Sequence, residues 1–185
     1  MNIVQQEQIF LTKKLALTKA RAFRHYLAPI FFSLLTMLIL IIAIREFITK
    51  PEYNISPYAL ILLIFPLMAL LLFVGQKKAL NLKEIATGLS KQDNHLLVKE
   101  TLKELKWSIK INNKGYVEAF IDNSGFFAQF VNQMFVIAIT DGKILFTSIG
   151  NVDDAGSYSI SWWKDLKNMD SFKKTFILLR AKHFS

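Results

Sequence analysis

Two stretches of the chain are apolar on every side, and around them the hydrophobic positions fall into short helical and strand periods. Tyr26 to Ile44 reads YLAPIFFSLLTMLILIIAI and Pro57 to Gln76 reads PYALILLIFPLMALLLFVGQ, neither with a charged side chain. At about 1.5 Å per residue each comes close to the ~30 Å of a bilayer's hydrocarbon core. The rest of the chain could not bury two helices that are apolar all round, so both are expected to be transmembrane. The connection over 45–56 is short, which makes them antiparallel neighbours. Pro29 falls in a first turn, where its missing N–H costs little, and Pro57 opens the second span beside Tyr58, which suits an interface. Pro66 lies mid-span and predicts a kink.

Downstream the periods shorten. The second helix is expected to run on through KKALNLKEIATGL, with Gly88 as its stop. A further helix, capped by Ser90 or Asp93, covers HLLVKETLKELKW, where Leu97, Val98, Thr101, Leu102 and Leu105 share one face. Trp107, Ile109 and Ile111 then alternate with Ser108 and Lys110, a strand pattern. The turn Asn112-Asn113-Lys114-Gly115 leads into a second strand, Tyr116 to Ile121. An aromatic bend, NSGFFAQFVN, separates it from QMFVIAIT over 133–140, and Asp141-Gly142 is a type I′ hairpin signal with Lys143 to Ile149 as the partner strand. After the polar loop GNVDDAGSYS, a last helix over 162–182 places Trp162, Leu166, Met169, Phe172, Phe176 and Leu179 three or four apart.

The fold class that follows is a membrane helical hairpin carrying a small α+β domain in the order α-β-β-β-β-α, an antiparallel sheet with its helices on one face. The expected divisions are a basic amphipathic arm (1–25), the hairpin (26–76), a juxtamembrane helix or linker (77–89) and the α+β domain (90–185).

Charge orients this arrangement. The net charge is +9, and its basic excess flanks the spans. The arm carries Lys13, Lys14, Lys19, Arg21 and Arg24 against Glu7, and Lys77 and Lys78 follow the second span, whereas the loop's Arg45 and Lys50 are balanced by Glu46 and Glu52. The positive-inside rule puts both termini in the cytoplasm, at the inner membrane of a bacterium. No leader pattern precedes the first span, which is expected to stay in the mature protein. Ile3, Phe10, Leu15, Leu17 and Phe23 interleave with the arm's cations, so it reads either as an amphipathic helix on the inner leaflet or as a topology signal. Lys13, Lys14, Lys19, Arg21, Arg24, Lys77 and Lys78 are the candidate contacts to anionic lipid head groups, a better account of cations beside a span than nucleic acid. Asn54-Ile55-Ser56 matches a glycosylation acceptor by chance.

Chemistry is sparse. There is no cysteine, hence no disulfide, thiolate site or thiol nucleophile. His25, His95 and His183 are scattered without metal-ligand spacing and are expected to be solvated or capping. Asp153-Asp154 suits a turn, and no glycine loop has the spacing that cradles phosphate. Neither span has an ionisable residue, which argues against a transport path, and Ser33 and Thr36 lack the base an intramembrane protease needs. No cofactor, metal or catalytic set is expected. Phe126, Phe127, Phe130, Trp162 and Trp163 cluster around the bend and the last helix, and belong either to the core with Phe135 or to a partner or ligand surface.

The residues Trp107, Ile109, Gly115, Tyr116, Val117 and Ala119, followed by Trp163, Lys167, Asn168 and Phe172, resemble a small α+β module attached to bacterial membrane proteins. Similar proteins more often read W-G-K-N-K-K-N where this chain has Trp163-Lys164-Asp165-Leu166-Lys167-Asn168. The resemblance spans about 90 residues of loosely defined motif, and implies a fold and a location, with no activity. The expected role is a non-catalytic accessory or assembly subunit that docks on a larger membrane protein or on its own copy. The alternative is a sensor of lipids or amphipathic ligands.

Overall fold

The computed structural model describes residues 3–49, 56–121, 133–153 and 162–184, and within these the side chains of all but 3–7, 56–58 and 162–163. Two helices form the hairpin, α3 (Leu27–Thr49) and α4 (Ser56–Ala79). Each is long and apolar enough to cross a membrane, with windows of mean hydropathy 2.8 and 2.5. Only 17% of either window is buried within the chain, unlike the core helix of a globular domain. They pack antiparallel, with Phe32 edge-on to Phe65 at 5.9 Å and Tyr26 against Phe73 at 5.3 Å between ring centres. Pro66 sits inside α4, as its place in the run requires.

Preceding the hairpin are α1 (Ile3–Thr12) and α2 (Lys19–His25), the latter N-capped by the Thr18 side chain. Beyond it the order is β1 (Lys83–Ala86), α5 (Lys91–Glu104), β2 (Ser108–Asn113), β3 (Tyr116–Ile121), β4 (Gln133–Thr140), β5 (Lys143–Gly150) and α6 (Trp162–Phe184). The sheet is antiparallel throughout, in the order β1-β5-β4-β3-β2. Four strands and both terminal helices of the domain stand where the patterns put them, and Ser90 caps α5 by accepting from the Asp93 amide.

The fifth strand corrects the expected order. α4 stops at Ala79, and residues expected to continue it as a helix or linker form β1 instead. KEIA pairs with β5, Lys83 opposite Phe146 and Ala86 opposite Lys143. Thr147 Oγ donates to the Ala79 carbonyl at 2.6 Å, which ends the helix on the sheet. Gly88 does adopt a left-handed φ of +66°, but it leads from β1 toward α5 rather than ending a helix. The β4–β5 hairpin also departs from type I′, which needs positive φ at both central residues. Only Gly142, at +76°, has it. Asp141 is held otherwise because its carboxylate accepts from the Lys91 amide at 2.8 Å, fixing the start of α5 on the turn.

The sheet is covered on both faces. α5 and α6 pack on one, where Leu97, Val98, Leu102, Met169, Phe172 and Phe176 meet Val117, Phe135, Ile137, Ile139 and Phe146. Trp107, Phe135, Phe146 and Phe172 form a contiguous aromatic cluster there, with ring centres 4.8–6.5 Å apart. The expected order put helices on that one face alone, and the arm covers the other. Ile9 and Leu15 of the arm cover it together with Leu82, on Met134, Val136, Ala138, Leu145 and Ile149. The arm is therefore part of the fold: Lys13 turns the chain at a φ of 51°, after which Leu15 and Leu82 exchange main-chain hydrogen bonds with Leu80 and Lys13 at 2.8 and 2.9 Å. The uninterrupted apolar run QMFVIAIT carried this information, because a strand covered on both faces does not alternate.

Candidate functional site

The predicted basic contacts divide into two groups. Lys13 pairs with Glu84 at 3.0 Å and Arg24 donates to the Val152 carbonyl at 3.2 Å, although both remain largely exposed. Lys14, Lys19, Lys77 and Lys78 are exposed, and no acidic partner faces them among the described residues. Arg21 is engaged within the chain. Its Nη atoms donate to Glu118 at 2.9 and 3.2 Å, and Nε and Nη2 donate to Asp153 at 2.9 and 2.7 Å. A guanidinium holding two carboxylates in this way has little left to offer a lipid phosphate.

This network sits where α2 meets the arm-covered face of the sheet. Glu118 is 1% exposed and also accepts from the Tyr116 hydroxyl at 2.6 Å, while Lys110 donates to Asp153 at 3.0 Å. The hydrogen bonds that Arg21 donates to Glu118, and then to Asp153, hold its pKa above its ordinary value against the opposing effect of burial. Burial pushes the Tyr116 phenol up, with the Glu118 charge adding to it. Burial also acts to raise Asp153, yet hydrogen bonds from Arg21 and Lys110 hold it below the usual carboxylate range. With every charge answered, the cluster is a clamp between arm and sheet.

A second cluster joins α6 to the sheet. Asp165, in the first turn of α6, is 3% exposed and accepts from Ser148 Oγ at 2.8 Å and Gln133 Nε2 at 2.9 Å. Asn168 donates to Gln133 Oε1. Burial pushes the Asp165 carboxyl up to about 7, against the lowering effect of those hydrogen bonds. A carboxyl poised near neutrality beside a serine hydroxyl would suit proton transfer, but Ser148 is wholly buried and offers a substrate no approach. The sequence motif around Lys167-Asn168 pointed to this place through Asn168, with Asp165 standing in it only as a departure from the commoner spelling.

The third feature is apolar. α3 and α4 leave a groove of about 830 Å³ between them, open along its length. Pro29, Ser33, Pro66 and Ala69 supply small side chains, and Tyr26, Ile30, Leu34, Met37, Leu70 and Phe73 supply larger ones. Ser33 and Thr36 donate to carbonyls of their own helix, Pro29 and Phe32, both at 2.8 Å, so their hydroxyls add little polarity to the groove. At one end, His25 is 1% exposed with Nε2 against the Gln76 carbonyl at 2.9 Å, a cap on α4 from the arm. Desolvation lowers the His25 pKa despite that hydrogen bond.

Phe126, Phe127, Phe130 and Asp154 lie outside the described residues, as do residues 50–55 between α3 and α4, and Trp162 and Trp163 open α6 with side chains that are not described. Phe135 is core. Among the described residues no three His, Asp or Glu side chains are grouped as metal ligands. No family model matches the chain, and no curated protein matches it.

Proposed function

We propose that the protein is a membrane-anchored, non-catalytic accessory module of a bacterial inner membrane, its hairpin inserted and its α+β domain docked on a larger membrane protein. The observation that carries this reading is the hydrogen-bonded seam between hairpin and domain. The Ala79 carbonyl is held by Thr147 of the sheet, the Gln76 carbonyl by His25, and the arm runs from α2 back across the sheet. Arm and domain thus share one end of the hairpin, the end that bears Lys77 and Lys78. A domain fixed at a set height and angle above the bilayer suits presentation to a neighbouring protein better than it suits a tethered enzyme. The charge-compensated cluster of Arg21, Glu118 and Asp153 and the buried cluster of Asp165, Ser148 and Gln133 support the non-catalytic part.

Isolation of the tagged full chain from native membranes in mild detergent tests this. A defined second protein should co-purify in fixed ratio, and a strictly solitary monomer or homodimer overturns the docking role. Protease protection in sealed inner-membrane vesicles tests the orientation. Both termini should be cleaved only where the cytoplasmic face is outside. The groove between α3 and α4 favours the second reading, a site for lipid or another amphipathic ligand.

A further inference from the structure

We infer that the groove between α3 and α4 is a binding site for one anionic phospholipid, an acyl chain lying in the groove and the phosphate at Lys77. This deepens the lipid reading and rests on the hairpin's being inserted.

The placement of the side chains on α4 carries the inference. Pro66, Ala69, Leu70 and Phe73 line the groove, and Lys77 follows Phe73 by four residues, on the same helix face one turn further on. That turn moves the ammonium roughly 6 Å along the axis beyond the last groove residue. The cation thus stands one turn beyond the last groove residue of α4, toward the end where hairpin meets domain. Lys77 is exposed and no carboxylate faces it among the described residues, in contrast to Lys13 and Arg21. Tyr26, just before α3, and Ile30, Ser33, Leu34 and Met37 on it line the opposite wall, a span of roughly 17 Å along the axis, comparable to much of one leaflet's chains. Tyr26, tilted against Phe73, lines the same end of the groove, where an amphipathic ring is suited to the boundary between chain and head group.

Small side chains keep the slot open. A large residue in place of Ser33 or Ala69 would fill it, and the neighbouring Phe32–Phe65 contact already closes the helices elsewhere. Basic sites of this kind on the cytoplasmic side of membrane helices select for anionic head groups, while the chain slot alone does not.

The full chain, purified in mild detergent and mixed with phosphatidylglycerol or phosphatidylcholine of matched chains, is examined by native mass spectrometry. One phosphatidylglycerol per chain should be retained, with roughly fivefold preference over phosphatidylcholine, as ~1 kcal/mol from one lysine implies. Lys77→Gln should erase the preference and keep residual uptake of both lipids. Ser33→Phe should reduce uptake of both, whereas Leu63→Phe, on an exposed position outside the groove, should change neither. Equal retention of the two lipids by the unaltered chain overturns the site, as does a preference that survives both Lys77→Gln and Ser33→Phe. A homodimer dispersed by Ser33→Phe, with lipid uptake unchanged, would assign the groove to a second copy and also overturn it. Alkaline extraction of native membranes separates this from failure of the hairpin reading: a chain released by it is not inserted, whereas one retained without lipid preference loses only the site.

Discussion

Arg21 and Glu118 meet through two hydrogen bonds, 2.9 and 3.2 Å, across 97 positions of sequence, and the carboxylate they neutralise is almost wholly buried. The pair fastens α2, the helix that leads into the hairpin, to β3, the strand next to the sheet's β2 edge. Removing one partner leaves the other charge buried and unanswered, which is far costlier than losing both. Arg21→Met should therefore destabilise the protein by about 3–5 kcal/mol, and Glu118→Gln in the same chain should restore a good part of that. Denaturant unfolding in detergent, followed by tryptophan fluorescence, measures both. Equal losses in the single and double variants would dismiss the clamp.

Asp165 gives stability a pH dependence of unusual sign for a carboxylate. Its pKa is raised from 3.8 to about 7 in the folded chain, so the folded state keeps a proton that the unfolded state has released. The stabilising proton is fully present below about pH 4 and is lost as the pH rises to about 7. Asp165→Asn keeps an acceptor for Ser148 and Gln133 without the charge. The variant should be more stable than the parent by about 1–3 kcal/mol at about pH 8 and differ little at about pH 4. Thermal melts at the two pH values check it, and a constant difference between them would refute the assignment.

His25 acts in the opposite direction. Burial lowers its pKa below 6.5, so the unfolded chain takes up a proton that the folded one resists. Stability at this junction is full above about pH 6.5 and falls as the pH drops toward the depressed value. In an Asp165→Asn background, His25→Gln should flatten the remaining acid-side slope between about pH 5 and 7 while its amide still reaches the Gln76 carbonyl. Limited proteolysis of the arm across that range is the readout. A slope unchanged by the substitution places the titrating group elsewhere.

Lys106 closes α5 in a left-handed conformation, φ 58°, with its amide on the Lys103 carbonyl and the Trp107 amide on that of Leu102 at 2.9 Å. This is a Schellman ending, with lysine where glycine has no steric penalty. Lys106→Gly should stabilise the protein by about 0.5–1 kcal/mol, after allowing for the greater freedom of glycine in the unfolded chain. A higher midpoint with an unchanged denaturant slope is expected, and a lower one would show that the lysine side chain matters more than its backbone.

The elements whose identity is local were legible in order along the chain. The two spans, the Ser90 cap, the strands around Asp141-Gly142 and the stripe of α6 each follow from periodicities or turn residues within a few positions of one another. The candidate groove was only half visible: the charge-free runs announced two helices, but which side chains line the space between them depends on how the helices cross. β1 was invisible because KEIA has no strand period of its own and becomes a strand by pairing with β5.

Sequence by itself determined that two uncharged helices adjoin basic flanks, and that a sheet with two packed helices follows. Tertiary structure alone decided that the arm lies on the sheet's second face, that Arg21 faces Glu118 instead of solvent, and that Lys77 meets no carboxylate among the described residues. The reason is physical. Hydrophobic period is a property of neighbours in sequence, whereas the worth of a charge depends on what the fold brings opposite it, here a carboxylate 97 residues away.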